Sequence, residues 1–549
     1  MRIPNAQQAY LGVALLGLLA LRIWLAFTLR VNSDEPQHLH TIWCWTQGIL
    51  PYRDVFDNHA PLFHILYAPL LALIGERADI VPLMRLAAIP WYALALWLTY
   101  LLGSKLYDRR IGWIAVGLTA LHPTFFNRSI EFRPDDAWAA AWLGALVVGV
   151  SGRPTPKRAL QCGMVGGLAV AFSIKSAILI TAALVSAGMV MVILALQHRM
   201  PSWLATLRVA VATAIGGAIL PATILIAFVA AGAWEAMRYC LFLHNVAAGL
   251  GRWQHAGWHT WAFPLLLPPL ALLMKHMLHE RGDPMLPALR AWILGSGLIY
   301  LALRASYQPL LDKQDLLPLV PMLAPAAASL IVHMSREQAW GRIAIALALS
   351  LEVTLLLQAD RPWLHEAHRF TDELGTLLRL SRPTEYVMDD KAESIFRPRP
   401  FYWVLENVTL HHLARGLIAD DIPQRLVDDH VFVGVFDRER GADKAFVQNN
   451  YVTVAPHIEV AGKLLGAGNE GETINFDIAL SNRYALIARD GEPEGRLDGL
   501  PYTKPRDLAT GRHTFAPARA GAWAVVWDRA GALGYSPFSA DGSNEVPVP

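Results

Sequence analysis

Two adjacent carboxylates, Asp34 and Glu35, follow the first long apolar run of the chain, residues 9–29. Carboxylates at the mouth of a membrane helix are costly to desolvate, and they are normally present for chemistry or ion handling. A carboxylate near the membrane surface can also supply the base that a weakly nucleophilic hydroxyl requires. The pair is therefore the first candidate for a functional site.

Further polar residues stand in the segments that separate later apolar runs. They are Arg53, Asp57 and His59 in the first loop, Arg133, Asp135 and Asp136 in the second, and Lys175 within the apolar stretch of residues 159–196. We expect these loops to share one membrane face. Acids and bases would then converge there, as a reaction between a lipid-linked anion and a polar acceptor requires.

The composition indicates what positions these residues. The chain has 549 residues, of which 54% are hydrophobic and only 17% charged, whereas a soluble protein carries roughly 25% charged residues. Before about residue 360, apolar stretches of roughly 15–24 residues recur, long enough to cross a bilayer. We expect an α-helical polytopic membrane protein with about eleven spans, beginning near residues 8, 83, 111, 137, 159, 177, 208, 260, 290, 314 and 340. The stretch 159–196 is too long for one helix and predicts a hairpin with Lys175 at its tip. Residues 61–75 are apolar but short, and they predict a re-entrant or interfacial segment.

Basic residues predict the orientation. Lys105, Arg153, Arg199, Lys275 and Arg336 fall on alternate turns that contain few acids, which is typical of cytoplasmic loops. The amino terminus is then cytoplasmic, and the loops 30–82, 122–136, 232–259 and 304–313 lie outside together with the carboxy-terminal domain. We expect a multi-pass protein of the cell membrane, specifically a bacterial inner membrane.

The pattern changes after the last apolar run. Residues 360–380 and 403–416 are predicted to be helical, and residues 473–480, 484–488 and 522–527 are predicted strands separated by glycine-rich turns. We expect three regions: a transmembrane domain at 1–358, a mixed α/β connecting segment at 359–454 and an extracytoplasmic β-sandwich at 455–549.

The order of several short motifs resembles a known family. They are the Asp-Glu pair at 34–35, Pro-Tyr-Arg-Asp at 51–54, His-Ala-Pro-Leu at 59–62, Arg-Pro-Asp-Asp at 133–136 and Ser-Ile-Lys at 173–175. Together they look like family 39 glycosyltransferases, the protein O-mannosyltransferases and aminoarabinose transferases with the GT-C membrane fold. The resemblance covers roughly residues 8–335. One departure is that the aminoarabinose transferases have Glu-Lys-Pro-Pro where this chain has Asn-His-Ala-Pro, at 58–61, which leaves the donor and acceptor types open.

The resemblance implies transfer of a sugar from a polyprenyl-phosphate donor to a lipid, protein or glycan acceptor on the outer membrane face. Asp34 would be the general base, with Glu35 orienting it or the acceptor and Asp136 as a third catalytic acid. Arg53, Arg133 and Lys175 would stabilise the departing phosphate, and the substrate contacts would be His59, Asp57 and Asp135.

Other interpretations stay open. Arg53 and Asp54 would pair with each other, Arg133 and Lys175 would be interfacial anchors, or His59 would pack on neighbouring aromatic rings. A divalent cation, Mg²⁺ or Mn²⁺, held by Asp34, Glu35 and Asp136 is a further possibility. The net charge of +2 gives no reason to expect nucleic acid. The alternative functions are an oligosaccharide transferase or ligase and a transporter or flippase of lipid-linked sugars, although the chain has no internal repeat typical of transporters.

Overall fold

The computed structural model describes residues 5–246, 257–279, 283–307, 312–337, 339–360, 363–438 and 441–539. Its first part is helical, with α1 (Asn5–Thr28), α2 (Asp34–Thr46), α3 (Leu62–Ile74), α4 (Ile80–Ala87), α5 (Ile89–Leu106), α6 (Arg109–Leu121), α7 (Pro123–Arg128), α8 (Asp135–Val150), α9 (Pro156–Phe172), α10 (Ser176–Leu196), α11 (Trp203–Ala230), α12 (Trp234–Arg238), α13 (Ala262–Met277), α14 (Met285–Tyr307), α15 (Leu319–Glu337) and α16 (Ala339–Asp360). A π-helical turn, Tyr239–Leu243, and the 3₁₀ turns Trp258–Trp261 and Lys313–Leu316 lie in the connections. Residues 247–256 of the predicted loop 232–259 and residues 308–311 of the predicted loop 304–313 lie outside the described residues.

The helices agree with the hydropathy pattern. A helix begins within five residues of each of the predicted starts, and α9 and α10 form the predicted hairpin, with Lys175 between them. Residues 61–75 contain the short helix α3.

By length and composition, four stretches in the described part can cross a membrane: Ile80–Leu106, Ser176–Leu196, Trp203–Ala230 and Met285–Tyr307. Shorter apolar helices cover Leu16–Thr28, Leu62–Ile74, Ala262–Met277 and Leu319–Met334. In Trp203–Ala230 only 6% of the most apolar window is buried inside the protein. A helix with so little protein cover needs lipid around it, as expected of a multi-pass membrane protein.

Glycine allows two of these helices to touch through their backbones. A Cβ atom at Gly163 of α9 would overlap the carbonyl oxygen of Thr213 of α11, and one at Gly216 of α11 would overlap the carbonyl oxygen of Leu160. Gly167 stands four residues after Gly163, so both lie on the same face of α9. This spacing of small residues is the usual device for close helix packing in lipid, where no hydrophobic effect drives helices together.

The carboxy-terminal part combines helices with two sheets. Its helices are α17 (Ala367–Leu380), α18 (Asn407–Ala414), α19 (Ile422–Asp428), α20 (Gly441–Asn450) and α21 (Asp528–Ala532). Its strands are β1 (Val433–Gly434), β2 (Tyr451–Ala455), β3 (Ile458–Gly468), β4 (Ile474–Ile478), β5 (Asn482–Ala488), β6 (Gly495–Leu497), β7 (Leu500–Pro501), β8 (Arg506–Leu508), β9 (Gly511–Pro517) and β10 (Gly521–Trp527). The predicted helices and strands are present.

The strands form a sandwich. One sheet has the order β1-β3-β10-β5-β8, with β2 also paired to β3, and the other has the order β4-β9-β6-β7. Phe515 of β9 packs against Trp523 of β10 with ring centroids 5.3 Å apart, which joins the two sheets through their inner faces. The sheet starts earlier than the expected boundary at residue 455, because β2 forms an antiparallel hairpin with β3 and β1 pairs with the other edge of the same strand.

The carboxy-terminal part packs against one end of the helical part. Arg397 makes two hydrogen bonds of 2.8 Å with the carboxylate of Glu76, and the backbone N–H of Glu366 donates to the carbonyl of Thr28 at 3.0 Å. The predicted outside loops meet at this end. Glu131 of loop two, for example, accepts a hydrogen bond of 2.9 Å from Gln314.

The glycine contact gives a stability prediction. We expect Gly163→Val to destabilise the helical part by about 1–3 kcal/mol or more, because the new side chain must push α9 and α11 apart. The measurement is the thermal unfolding midpoint of the purified protein in detergent.

The control for this variant is Gly188→Val in α10, where an added Cβ meets no atom within 4 Å. Equal unfolding midpoints for the two variants would contradict the proposed role of Gly163.

Candidate functional site

Asp34 lies at the centre of the candidate site. It begins α2, its backbone N–H donates to the side-chain oxygen of Asn32 at 3.0 Å, and its carboxylate pairs with both Arg133 and Lys391. Its side chain is 24% exposed, so it reaches solvent while both partners are nearly covered. Burial raises the pKa of Asp34, but the charges of Arg133 and Lys391 outweigh burial and hold this pKa well below its usual range. Asp34 is therefore ionised at neutral pH.

A chain of alternating charges continues from this pair. The Nε of Arg133 donates to Asp135 at 3.0 Å. Lys175 lies 3.4 Å from Asp135 and 2.8 Å from Asp315, and Asp315 pairs with Arg304. We call this series the ion-pair chain; its members are Lys391, Asp34, Arg133, Asp135, Lys175, Asp315 and Arg304. Four cations alternate with three carboxylates in this series, and Arg133 also lies 4.0 Å from the carboxylate of Glu131.

Three members of the ion-pair chain, Asp34, Arg133 and Lys391, line a cavity of about 570 Å³. The cavity is lined by three groups of residues: Asn32, Ser33, Asp34 and Arg133 from the first loops, Asp312 and Gln314 before α15, and Lys391, Glu406, Asn407, Leu410, Asp437 and Arg438 from the carboxy-terminal part. The wall is mainly polar, and the volume of the cavity is that of a small-molecule site. Both parts of the chain therefore build one cavity.

Glu35 has a different position from its neighbour. Its carboxylate is fully buried and makes a two-pronged ion pair with Arg85, at 2.8 and 2.6 Å. It also accepts the backbone N–H groups of Phe132 at 2.7 Å and Asn32 at 2.8 Å. Arg85 uses its remaining N–H groups on carbonyls at the end of α1 and just after it. Glu35 thus joins loop one to loop two. By binding the backbone of Phe132, it also helps to position the next residue, Arg133.

The two aspartates of loop two are divided between two sites. Asp135 belongs to the ion-pair chain, whereas Asp136 is buried and lies 3.6 Å from Arg22 of α1. Successive residues in a helix point about 100° apart, so the two carboxylates meet different partners. Neither of them lines the cavity in the described residues, and the predicted catalytic role for Asp136 stays a prediction.

Arg53 also lies apart from the cavity. Its guanidinium is 51% exposed and bonds Asp54 at 2.8 Å, and it donates to the carbonyl of Ala231 at 3.2 Å. This is the pairing of Arg53 with Asp54 that the sequence left open. A donor-phosphate contact for Arg53 stays a prediction, and in this arrangement the residue is engaged elsewhere.

Asp57 and His59 belong to a buried histidine cluster. Asp57 accepts from the ring Nδ1 of His59 at 3.0 Å and lies 3.2 Å from the Nδ1 of His64. His64 in turn lies 2.9 Å from the Nδ1 of His38, whose ring centroid is 4.4 Å from that of His59. Burial, followed by the neighbouring His59 and His64, lowers the pKa of His38 well below its usual value. His59 is also close enough to Asp34 to interact with it electrostatically.

The predicted divalent-cation ligands do not converge. Asp34, Glu35 and Asp136 each pair with a different basic residue, and among the described residues no group of three or more His, Cys, Asp or Glu side chains is arranged to hold a metal ion. A cation held by these three acids would require each carboxylate to leave its present partner.

The three cysteines are free, and Cys44 and Cys240 are buried.

Several residues of the site could not be identified from the sequence. Lys391 and Glu406 lie more than 350 residues from Asp34 in the chain and belong to no recognisable motif. Arg22 and Arg85 stand within or beside apolar runs, which is a signal: an arginine in such a place needs a buried carboxylate. Which carboxylate it finds is decided by packing.

Comparison with known proteins places this geometry in a family context. Residues 58–226 match the family model described as dolichyl-phosphate-mannose-protein mannosyltransferase. Two crystal structures of ArnT from Cupriavidus metallidurans are similar over 83% of this chain and 98% of theirs. The form bound to undecaprenyl phosphate has 13% identity and a TM-score of 0.55, and the apo form has 14% identity and a TM-score of 0.54. No match is found among curated proteins.

These matches confirm the resemblance to family 39 glycosyltransferases. The fold is that of the GT-C membrane proteins, with an added carboxy-terminal β-sheet domain. The apolar helices and the ArnT fold make the chain a multi-pass membrane protein.

The Glu35–Arg85 pair gives the second prediction. We expect Arg85→Met to destabilise the protein by about 3–5 kcal/mol, because the substitution leaves the carboxylate of Glu35 buried without a counter-charge. The thermal unfolding midpoint and the yield of monodisperse protein measure the effect.

Arg77→Met serves as the matched control, because Arg77 is 47% exposed and pairs only with the exposed Asp79. An Arg85 variant as stable as the Arg77 variant would show that Glu35 does not depend on this pair.

Proposed function

We propose that this protein is a membrane glycosyltransferase that moves a sugar from a polyprenyl-phosphate-linked donor to a hydroxyl of an acceptor. The observation that carries the proposal is the carboxylate of Asp34, held between two cations in a polar cavity at one end of a helical bundle with the ArnT fold. ArnT has been crystallised with undecaprenyl phosphate, and we transfer that class of lipid ligand to this chain.

The reaction places specific demands on the cavity. The acceptor oxygen forms a bond to the anomeric carbon, the bond from that carbon to the phosphate oxygen breaks with its electron pair, and the acceptor proton moves to a base. The donor phosphodiester carries one negative charge, and the released polyprenyl phosphate carries about 1.5 to 2 at neutral pH. The protein must therefore supply a base and positive charge at neighbouring positions.

Asp34 and the cations of the ion-pair chain supply both. Asp34 takes the acceptor proton, and Arg133, which contacts Asp34 directly, lies where the phosphate charge develops. Lys175 is held through Asp135 and adds positive charge behind Arg133. Glu35 orients loop two through Phe132 rather than touching substrate.

The remaining predicted residues take supporting roles. Asp57 fixes the ring of His59, and Asp135 links Arg133 to Lys175. The transferred group is a hexose or a pentose, since a cavity of about 570 Å³ holds either. The acceptor is a lipid, protein or glycan that presents a hydroxyl to Asp34.

The orientation is part of the proposal. The basic turns at Lys105, Arg109, Arg153 and Lys157 lie in loops other than those that build the site, which favours a cytoplasmic location for them. The cavity and the carboxy-terminal part then lie outside the cytoplasm, where a lipid-linked donor is used. The amino terminus is cytoplasmic.

Catalysis gives the third prediction. We expect Asp34→Asn to lower sugar transfer by about 10²–10⁴-fold, because the amide keeps the size of the carboxylate but removes its basicity. Binding of polyprenyl phosphate should persist, since Arg133 remains. The measurement is transfer of labelled sugar by purified protein from polyprenyl-phosphate donors to extracted envelope acceptors.

Asp79→Asn is the matched control, because Asp79 is an exposed acid of the same loop region and pairs only with Arg77. Wild-type turnover in Asp34→Asn would remove Asp34 from the mechanism. Lipid movement without any transfer, in wild type and control alike, would indicate a flippase instead.

Topology gives the fourth prediction. In a variant without native cysteines, Glu470→Cys in the carboxy-terminal part should react with an impermeant maleimide in intact cells. Lys157→Cys at the start of α9 should react only after permeabilisation, because the proposal places it in the cytoplasm. The reverse pattern would overturn the orientation and, with it, the extracytoplasmic use of the donor.

A further inference from the structure

Lys391 is a cavity residue contributed by the carboxy-terminal part. Its side chain is only 8% exposed, and its Nζ pairs with the carboxylate of Asp34 and donates to the Oγ of Ser33 at 3.3 Å. Among the cations that line the cavity in the described residues, only Arg133 and Lys391 contact Asp34. The second cation at the candidate base thus comes from a different part of the chain from the first.

The loop that carries Lys391 is held in an unusual conformation. Ala392 and Ile395 have φ angles of +62° and +49°, a region that side-chain-bearing residues seldom adopt, and both are fully buried. Asp389 stabilises this turn by accepting the backbone N–H groups of Ala392 and Ser394 at 2.8 and 2.9 Å. Such backbone strain persists only where the surroundings impose it, and it is concentrated at functional sites.

The same loop is fixed to the helical part at two points shortly after Lys391. Arg397 binds Glu76, and the ring Nδ1 of His40 in α2 lies 2.9 Å from the carbonyl oxygen of Ile395. Because α2 also begins with Asp34, the contact with His40 sets the distance between Lys391 and Asp34. The loop therefore holds an ammonium group at a defined place in the cavity.

We propose that Lys391 and Arg133 together bind the donor phosphate, and that the phosphate takes these cations from Asp34 and frees its carboxylate to accept the acceptor proton. This inference rests on the proposed function and names the residues that bind its lipid phosphate. Lys391 then contacts the substrate directly.

The charge balance supports this assignment. Two cations, the Asp34 carboxylate and a phosphodiester monoanion sum to zero before transfer. Afterwards Asp34 is protonated and neutral, and the polyprenyl phosphate carries up to about two negative charges, so the sum is again zero. Among these groups alone, a single cation would leave a net negative charge at both stages. Two cations fit the reaction throughout its course.

The exchange also explains how a strongly paired carboxylate can serve as a base. The titratable and charged groups that face Asp34 are Arg133 from loop two, Lys391 from the carboxy-terminal part, His59 from loop one and His38 from its own helix. Of these, Arg133 and then Lys391 contribute most to the low pKa of Asp34, against the opposing effect of burial. Phosphate that draws both cations away makes Asp34 more basic only when the donor is bound, which limits proton uptake in the empty enzyme.

The experiment measures binding of undecaprenyl phosphate to the purified full-length protein in nanodiscs. We expect Lys391→Met to raise the dissociation constant about ten- to a hundredfold, because one charge-assisted contact is lost. Lys391→Arg should keep most of the affinity for undecaprenyl phosphate. Lys391→Gln should lose most of this affinity, although its amide can still make polar contacts with Ser33 and Asp34. Lys444→Met, at an exposed position of α20, is the matched control.

A pH profile separates phosphate binding from a purely structural role. Removing the charge of Lys391 raises the pKa of Asp34, so the acidic limb of kcat/KM should move to higher pH in Lys391→Gln. Wild-type affinity together with an unmoved acidic limb in the Gln and Met variants would overturn the assignment of Lys391. A wild-type protein that binds no undecaprenyl phosphate would instead overturn the proposed function, and the inference with it.

Discussion

The need to neutralise buried charge at the junction of the two parts of the chain governs this structure. Removing an ion from water costs several kcal/mol even after the protein relaxes, unless a partner of opposite charge is close. The junction contains seven charged side chains in one series, from Lys391 to Arg304, and each carboxylate in it contacts two cations. Shifting any one member exposes its neighbours to this cost. The helices and loops that supply them are therefore held in one arrangement.

The secondary structure assists this arrangement but does not dominate it. Asp34 and Asp135 stand in the first turns of α2 and α8, and Arg304 stands in the last turn of α14. Each has the sign that the helix dipole favours, a contribution of about 0.3–1 kcal/mol per charge. This is smaller than the cost of burying an unpaired ion. Helix ends thus place the charges, and partner side chains make their burial tolerable.

The carboxy-terminal part is more than an appended domain. Through Lys391, Glu406 and Asp437 it forms one wall of the cavity, whereas the strands of its β-sandwich contribute no lining residue in the described structure. Glu406 also contacts His244 at 3.0 Å and Asn58 at 3.1 Å, and so it joins the first and fourth outside loops.

The sequence by itself determined the local features. Hydropathy predicted where the helices begin, the break at Lys175 predicted the hairpin, and alternation predicted the strands of the sandwich, because each of these depends on residues close together in the chain. The short motifs likewise identified Asp34, Arg133 and Lys175 as residues of one membrane face. The domain boundary at residue 455 stays a prediction, and β1 and β2, which precede it or end at it, pair with β3 of the later sheet.

Only the tertiary structure decided which charges meet. Asp34 pairs with Lys391 across 357 positions of the chain, Glu35 with Arg85, and Asp136 with Arg22, and no local pattern selects among the many possible partners. The same limit applies to adjacent residues: Asp34 and Glu35, or Asp135 and Asp136, are equivalent in the sequence but point in directions about 100° apart on their helices. Packing places Asp34 at the cavity and Glu35 inside the protein, and it gives the buried Asp135 and Asp136 different partners. Their different roles arise from that placement, because the chemistry of a carboxylate depends on the charges and solvent around it.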